Sequence, residues 1–256
     1  MQSVLRAPLL TAQGFGHGFS TRLGGVSAAP FDSLNLGANV GDDPGHVAEN
    51  QRRFAERVGF LAGRLCSAQQ VHGADVLRVR DAGEADVRTL AQSRADALVA
   101  EPGAAVGVRT ADCLPLLLAD PETRYAAAVH AGWRGVCAGV VTAAVRALCE
   151  AAEAPAQRLI GAVFPHIRRC CFEVGEDVAQ QLSAAVPGVA CSHVGPRGRP
   201  HVALDLLVRA QLAAAGVSLA SVDDVAGCTC CDVSRFYSFR RDGQQSGRHM
   251  AVIVAG

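Results

Sequence analysis

The chain reads as an α/β protein, one domain in which a mixed sheet is covered by helices. Three observations predict it. Short apolar runs of strand length are interleaved with longer segments of helical periodicity along the whole sequence. Half of the 256 residues are hydrophobic, which suffices for a large core without staples. Neither a linker nor an internal repeat divides the sequence.

The elements follow in order. The opening segment, MQSVLRAPLLTAQGF, has no apolar stretch long enough for a signal peptide, and no later run reaches membrane length. A cytosolic protein without a membrane partner is therefore expected. Residues 14–41, rich in Gly, Ser, Asn and Pro, read as a long loop or several turns, and loops of that length tend to be functional or disordered. Arg22 and Asn35 are its best side chains for an anionic or hydroxylated ligand; a solvated Arg and a turn-capping Asn are the plainer alternative. Asp42-Asp43-Pro44 opens a helix with Val47, Phe54 and Val58 inward and Gly59 at its end. Segments 66–70 and 75–79 read as strands, with His72 at the turn between them. Residues 96–100 and 105–109 are two more strands around Glu101-Pro102-Gly103. After a central hairpin, 139–152 is a helix, 159–164 a buried strand, and 177–186 and 205–215 helices, the last closed by Gly216. Segments 222–226 and 251–254 complete the strands.

Charge balances at zero, and all 24 basic residues are Arg. The balance gives no sign of a nucleic-acid groove or an anionic membrane surface. The lack of Lys removes Schiff-base chemistry and a P-loop lysine. In a cytosolic protein the ten cysteines read as buried thiols or ligands rather than disulfides. Cys228 and Cys231 form half of a zinc knuckle, but no second pair follows at the usual interval, and Cys170-Cys171 is too tight for a standard ligand pair. These cysteines, with Cys230, are expected to be core or chance.

The hairpin carries the chemistry. Leu114–Ala119 and the run 125–129 flank the turn Asp120-Pro121-Glu122-Thr123. With Ala119 facing Arg124, counting outward sets Cys113 directly opposite His130, with Cβ atoms about 4.5–5.5 Å apart. That separation lets a thiolate and an imidazole share a metal or exchange a proton. Pro115 cannot donate to a ladder and implies an edge strand or a bulge. His72, Cys113 and His130 each end a strand-like run beside a glycine or a polar turn. Three N/S ligands leave one tetrahedral position open, as in catalytic zinc, and the same Cys and His without metal make a thiolate–imidazolium pair. Spacing leaves both readings standing.

The segments QVHGADV (70–76), RTADCLPLLL (109–118), AAVHAGWRGVCAG (127–139) and RFYSFRRDGQQSGR (235–248), with STRLGGVS and FDSLNLG (20–37), resemble the purine nucleoside phosphorylase family formerly called multicopper polyphenol oxidoreductases or laccases. The resemblance runs nearly the full length. It implies a single three-layer α/β/α domain over residues 1–256 and a zinc held by His72, Cys113 and His130. The implied chemistry is phosphorolysis of adenosine, inosine and methylthioadenosine, with adenosine deamination as a second activity. Arg22, Asn35, Gln70, Asp112 and Arg134 are candidate substrate contacts by motif position. Asp112 alternates to the strand face opposite Cys113, so a structural hydrogen bond is its plainer role. One departure stands out: Phe164-Pro165-His166-Ile167-Arg168-Arg169 replaces the small residues usual before the family's FEVG, which bears on substrate access.

Rival functions are a copper-dependent phenol oxidase, a metal-free cysteine amidohydrolase acting on cell-wall precursors, and a non-enzymatic zinc or redox module. Multicopper oxidation needs many more His ligands than eight scattered singly. Three ligands rather than four, beside Trp133-Arg134, count against the module.

Overall fold

The computed structural model describes residues 2–80 and 84–256. Its strands are β1 (Val4–Leu5), β2 (His17–Ser20), β3 (Leu65–Cys66), β4 (Val76–Val79), β5 (Ala97–Ala100), β6 (Ala105–Thr110), β7 (Leu114–Ala119), β8 (Ala126–Ala131), β9 (Ile160–Val163), β10 (Ser192–Val194), β11 (Pro200–Val202), β12 (Val222–Asp224) and β13 (His249–Val254). The α-helices are α1 (Pro8–Ala12), α2 (Pro44–Val58), α3 (Glu84–Gln92), α4 (Trp133–Cys137), α5 (Val140–Ala152), α6 (Glu176–Ala185), α7 (Leu204–Ala214) and α8 (Phe239–Asp242).

Local chemistry explains the best-defined ends. Asp43 caps α2, its carboxylate accepting from the backbone N–H groups of Gly45 and His46, and Pro44 occupies the first turn. Gly59 closes the same helix in the left-handed region at φ 100°.

The expected mixed sheet between helical layers is met, and the middle consists of two stacked mixed sheets. One has the order β1-β2-β13-β6-β3, the other β12-β9-β7-β8-β5-β4, and β10-β11 is a separate ribbon. Phe19, Val106, Val108, Ala251 and Ile253 of the first sheet pack on Leu98, Leu117, Ala119 and Ala128 of the second. Helix α2 covers the outer side of the first through Phe54 and Val58, against Met250 and Val252. Helices α5 and α7 cover the outer side of the second, where Val141, Val145, Leu207 and Leu212 meet Leu116, Leu118 and Val129. Strands β7 and β8 are therefore buried on both faces, which is why they read as unbroken apolar runs.

The hairpin register differs from the sequence expectation. Ala119 pairs with Ala126 rather than facing Arg124, and His130 faces Pro115. Arg124 turns into the left-handed region at φ 67°, and the Asp120 N–H donates to the Tyr125 carbonyl at 2.9 Å, so the loop takes up residues 120–125. Such a slip of two residues keeps every side chain on its face, because side chains alternate with period two. Cys113 thus remains on the face of His130, now across from Gly132. Pro115 is also placed differently from expectation: β7 is internal, between β9 and β8. Its ladder with β9 begins at Leu116, so the missing donor falls just outside the ladder. The 14–41 segment holds β2 before becoming the expected succession of turns.

Candidate metal centre and active site

Asp96, immediately before β5, is fully buried and organises the centre. Its Oδ1 accepts from the His72 N–H at 2.9 Å and from His130 Nδ1 at 2.7 Å. Its Oδ2 accepts from the backbone of Val71 at 3.1 Å and of Gly73 at 2.7 Å. The Asp96 carbonyl accepts the His130 N–H at 2.7 Å. One carboxylate thus fixes the turn that carries His72, which sits at φ 61°, and the ring that ends β8. Burial opposes ionisation of Asp96. The His130 ring and the Gly73 and Val71 N–H groups outweigh it and hold the carboxyl below its ordinary range.

His130 donating from Nδ1 leaves Nε2 free to face outward. The ligand atoms of His72, Cys113 and His130 all lie within 4.8 Å of one another. His72 Nε2 is 3.8 Å from Cys113 Sγ, and the two imidazoles meet edge-on at 4.9 Å between centroids. Burial works against ionisation of Cys113, yet the neighbouring His130 charge and hydrogen bonds from His130 and His72 bring its thiol down to about 6. Burial likewise lowers His130, and the Cys113 thiolate and Asp96 carboxylate more than offset it, raising the imidazole to about 9.

Space for the three rests on Gly132. A Cβ there would come within 2.8 Å of the His72 ring, 3.2 Å of Cys113 Sγ and 3.6 Å of the His130 ring. On the other side Asp112, at φ 88°, holds the approach to Cys113. Its carboxylate accepts from Thr229 Oγ1 at 2.6 Å, Ser238 Oγ at 3.0 Å and the Arg240 N–H at 2.6 Å. The donor set of two imidazoles and one thiolate, with a carboxylate behind one ring, suits a zinc-like ion and also copper.

The chain matches, over residues 16–256, the model of the family described as multi-copper polyphenol oxidoreductase laccase. It belongs to that family. Among its relatives is the purine nucleoside phosphorylase of Deinococcus radiodurans, 41% identical over 98% of this chain and 92% of the relative. A purine nucleoside phosphorylase of Streptomyces coelicolor is 43% identical over 91% of this chain and 92% of its own. The crystal structure of YlmD from Geobacillus stearothermophilus superposes with a TM-score of 0.89 at 32% identity, covering 99% and 96% of the two chains.

In this laccase-family chain the other motif residues do different work. Asn35 is fully buried, its amide accepting from Gly37 and Arg248 N–H groups and donating to Asp42. Gln70 brackets the Arg109 backbone, donating at 2.7 Å and accepting at 2.8 Å. Arg22 donates to the Asp32 and Val233 carbonyls and lies over the Tyr237 ring. Arg134 is exposed and stacks 4.3 Å over Trp133; among the described residues its guanidinium makes no hydrogen bond or ion pair. Arg168, from the departing segment, is held by Asp205, Asp224 and the Gly227 carbonyl.

Two site residues escaped the sequence reading. Asp96 looked like an ordinary strand start, although an acid directly before a buried apolar run is itself a signal. Arg248, half-buried, interacts electrostatically with Asp112 and Cys113. Among the described residues no helix is long and apolar enough to cross a membrane.

Proposed function

We propose that the chain is a cytoplasmic, zinc-dependent purine nucleoside phosphorylase acting on adenosine, inosine and methylthioadenosine, with adenosine deamination as a side activity. The observation that carries this reading is the convergence of His72, Cys113 and His130 on one point, backed by Asp96, in a chain more than 40% identical to proteins bearing that enzyme name. When bound by these three residues, zinc supplies Lewis acidity and a water of lowered pKa at its open position.

The chain's own groups supply the rest. Asp96 keeps the His130 proton on Nδ1 and so presents Nε2 as a donor atom. Gly132 keeps the common point clear of side-chain carbon. Arg134, with its guanidinium exposed, and Arg248, within electrostatic reach of Cys113, are the cations for phosphate, whose oxygens match the planar guanidinium fork. Phosphorolysis forms a bond from phosphate oxygen to the anomeric carbon while the bond to the purine nitrogen breaks, and the base leaves with a proton. Incubating the zinc-loaded protein with adenosine and phosphate should give adenine and ribose 1-phosphate; omitting phosphate should give slow formation of inosine. Adenosine, inosine and methylthioadenosine all left untouched would remove the proposal.

A second reading has its own observation. The Cys113 thiol at about 6 beside His130 at about 9, with Asp96 behind the ring, is a thiolate–imidazolium pair. This is the arrangement of a metal-free cysteine amidohydrolase. Full activity in chelator-treated protein, with a covalent adduct on Cys113, would favour it. Loss of activity on chelation, restored by zinc, favours the phosphorylase.

A further inference from the structure

Four cysteines that the site above does not use come together where the chain returns from β9 and from β12. The Sγ atoms of Cys170, Cys171, Cys228 and Cys231 all lie within 4.8 Å of one another. Cys170 is 3.5 Å from both Cys228 and Cys231, and Cys171 is 3.2 Å from Cys231. None of the cysteines is joined in a disulfide. A regular tetrahedron with zinc–sulfur bonds of ~2.3 Å spaces its sulfurs about 3.8 Å apart, close to what is found here. An iron–sulfur cluster spreads its four thiolates over two or four irons, so they do not all close on one point.

We propose that Cys170, Cys171, Cys228 and Cys231 hold one structural zinc ion, a second metal site distinct from the His72–Cys113–His130 centre.

Independent features of the two loops fit a tetrathiolate. The Arg168 N–H donates to Cys228 Sγ at 3.4 Å, and the Cys230 and Cys231 N–H groups point at the same sulfur. Backbone donors of this kind stabilise a thiolate. Four thiolates around a dication leave two negative charges, and guanidinium groups gather on the same backbone. Arg168 donates to the Gly227 carbonyl, Arg240 to Cys171 and Glu173, and Arg241 to Thr229 and Cys230. The adjacency of Cys170 and Cys171 is accommodated by a tight turn in which the Cys171 and Phe172 N–H groups both donate to the Arg168 carbonyl.

The site also has a reason to exist. It ties together segments some 60 residues apart in sequence, and both reach the strap that carries Cys113. Ile167 donates its N–H to the Asp112 carbonyl, and Thr229, inside the Cys228–Cys231 turn, donates to the Asp112 carboxylate. The ion would thus brace Asp112 from behind.

Metal analysis of the purified, reduced protein tests this. The wild type should carry about two zinc ions per chain, Cys228→Ser/Cys231→Ser about one, and His72→Ala/Cys113→Ala about one. Because the serine variant could fail to fold, the His72→Ala/Cys113→Ala protein is also loaded with cobalt. It should show the strong thiolate-to-metal absorption of a tetrahedral four-sulfur site. At most one zinc in the wild type, two retained by the serine variant, no thiolate-to-cobalt absorption, iron in place of zinc, or disulfides among these cysteines in mass spectra of the alkylated protein would overturn the assignment.

Discussion

Asp96 makes the testable difference between a cluster of donors and an oriented set. Replacing Asp96 with Asn keeps its shape but lets an amide N–H face His130 Nδ1, favouring the tautomer with its proton on Nε2. Loss of such an orienting carboxylate typically costs about 10–100-fold in metal affinity. Competition with a chelator should show a loss of that size, and an unchanged affinity would contradict the role assigned to Asp96. Gly132→Ala tests the room rather than the orientation, because its methyl group would meet the His72 ring at 2.8 Å. It should weaken metal binding while unfolding close to the wild-type midpoint. Cys113 and His130 were legible as a pair because the hairpin sets them on one face, and His72 joined them through the resemblance of its QVHG segment to the family. Asp96 was not, since what distinguishes it is the five hydrogen bonds it accepts, and those exist only after β4, β5 and β8 are assembled.

At the level of elements, the hairpin shows how a partly misread register can still give the right neighbours. The turn signal at Asp120-Pro121 was sound, but the side chains of Asp120 and Thr123 bond to each other and draw two further residues into the loop. Strand faces survive a shift of two, so Cys113 and His130 stay together. Strand β13 carries a prediction of its own. His249, fully buried at its start, accepts the Tyr237 N–H on Nε2 at 2.8 Å and must remain neutral to do so. Burial is the chief reason its pKa is pushed down to about 3. The unfolded chain takes up this proton below about pH 6.5, whereas the folded chain does not until about pH 3. Stability therefore falls as pH drops through that window, by up to about 1.4 kcal/mol per pH unit. His249→Gln, which keeps an acceptor for Tyr237 but does not titrate, should show a shallower decline in denaturant midpoint with acidification. Parallel curves for the two proteins would rule the mechanism out.

Over the whole molecule, composition and alternating periodicity gave the α/β class, but the division of the strands into two sheets lies in long-range pairing that no local pattern encodes. β13 inserts between β2 and β6, and β9 lies beside β7, across large sequence separations. The cysteine cluster was hidden for the same reason, since neither of its halves is a complete motif. Leu117 sits wholly buried between the sheets, so Leu117→Ala should cost about 2–5 kcal/mol in chemical denaturation. The account's central claim is that His72, Cys113 and His130 form the metal centre of a nucleoside phosphorylase. Its most direct test is the chromatographic yield of adenine and ribose 1-phosphate from adenosine and phosphate, measured for the zinc-loaded wild type, the chelated protein and Cys113→Ala. The account predicts product only from the zinc-loaded wild type, with activity restored to the chelated protein by zinc; equal turnover by the metal-free protein, or none from any form, would contradict it.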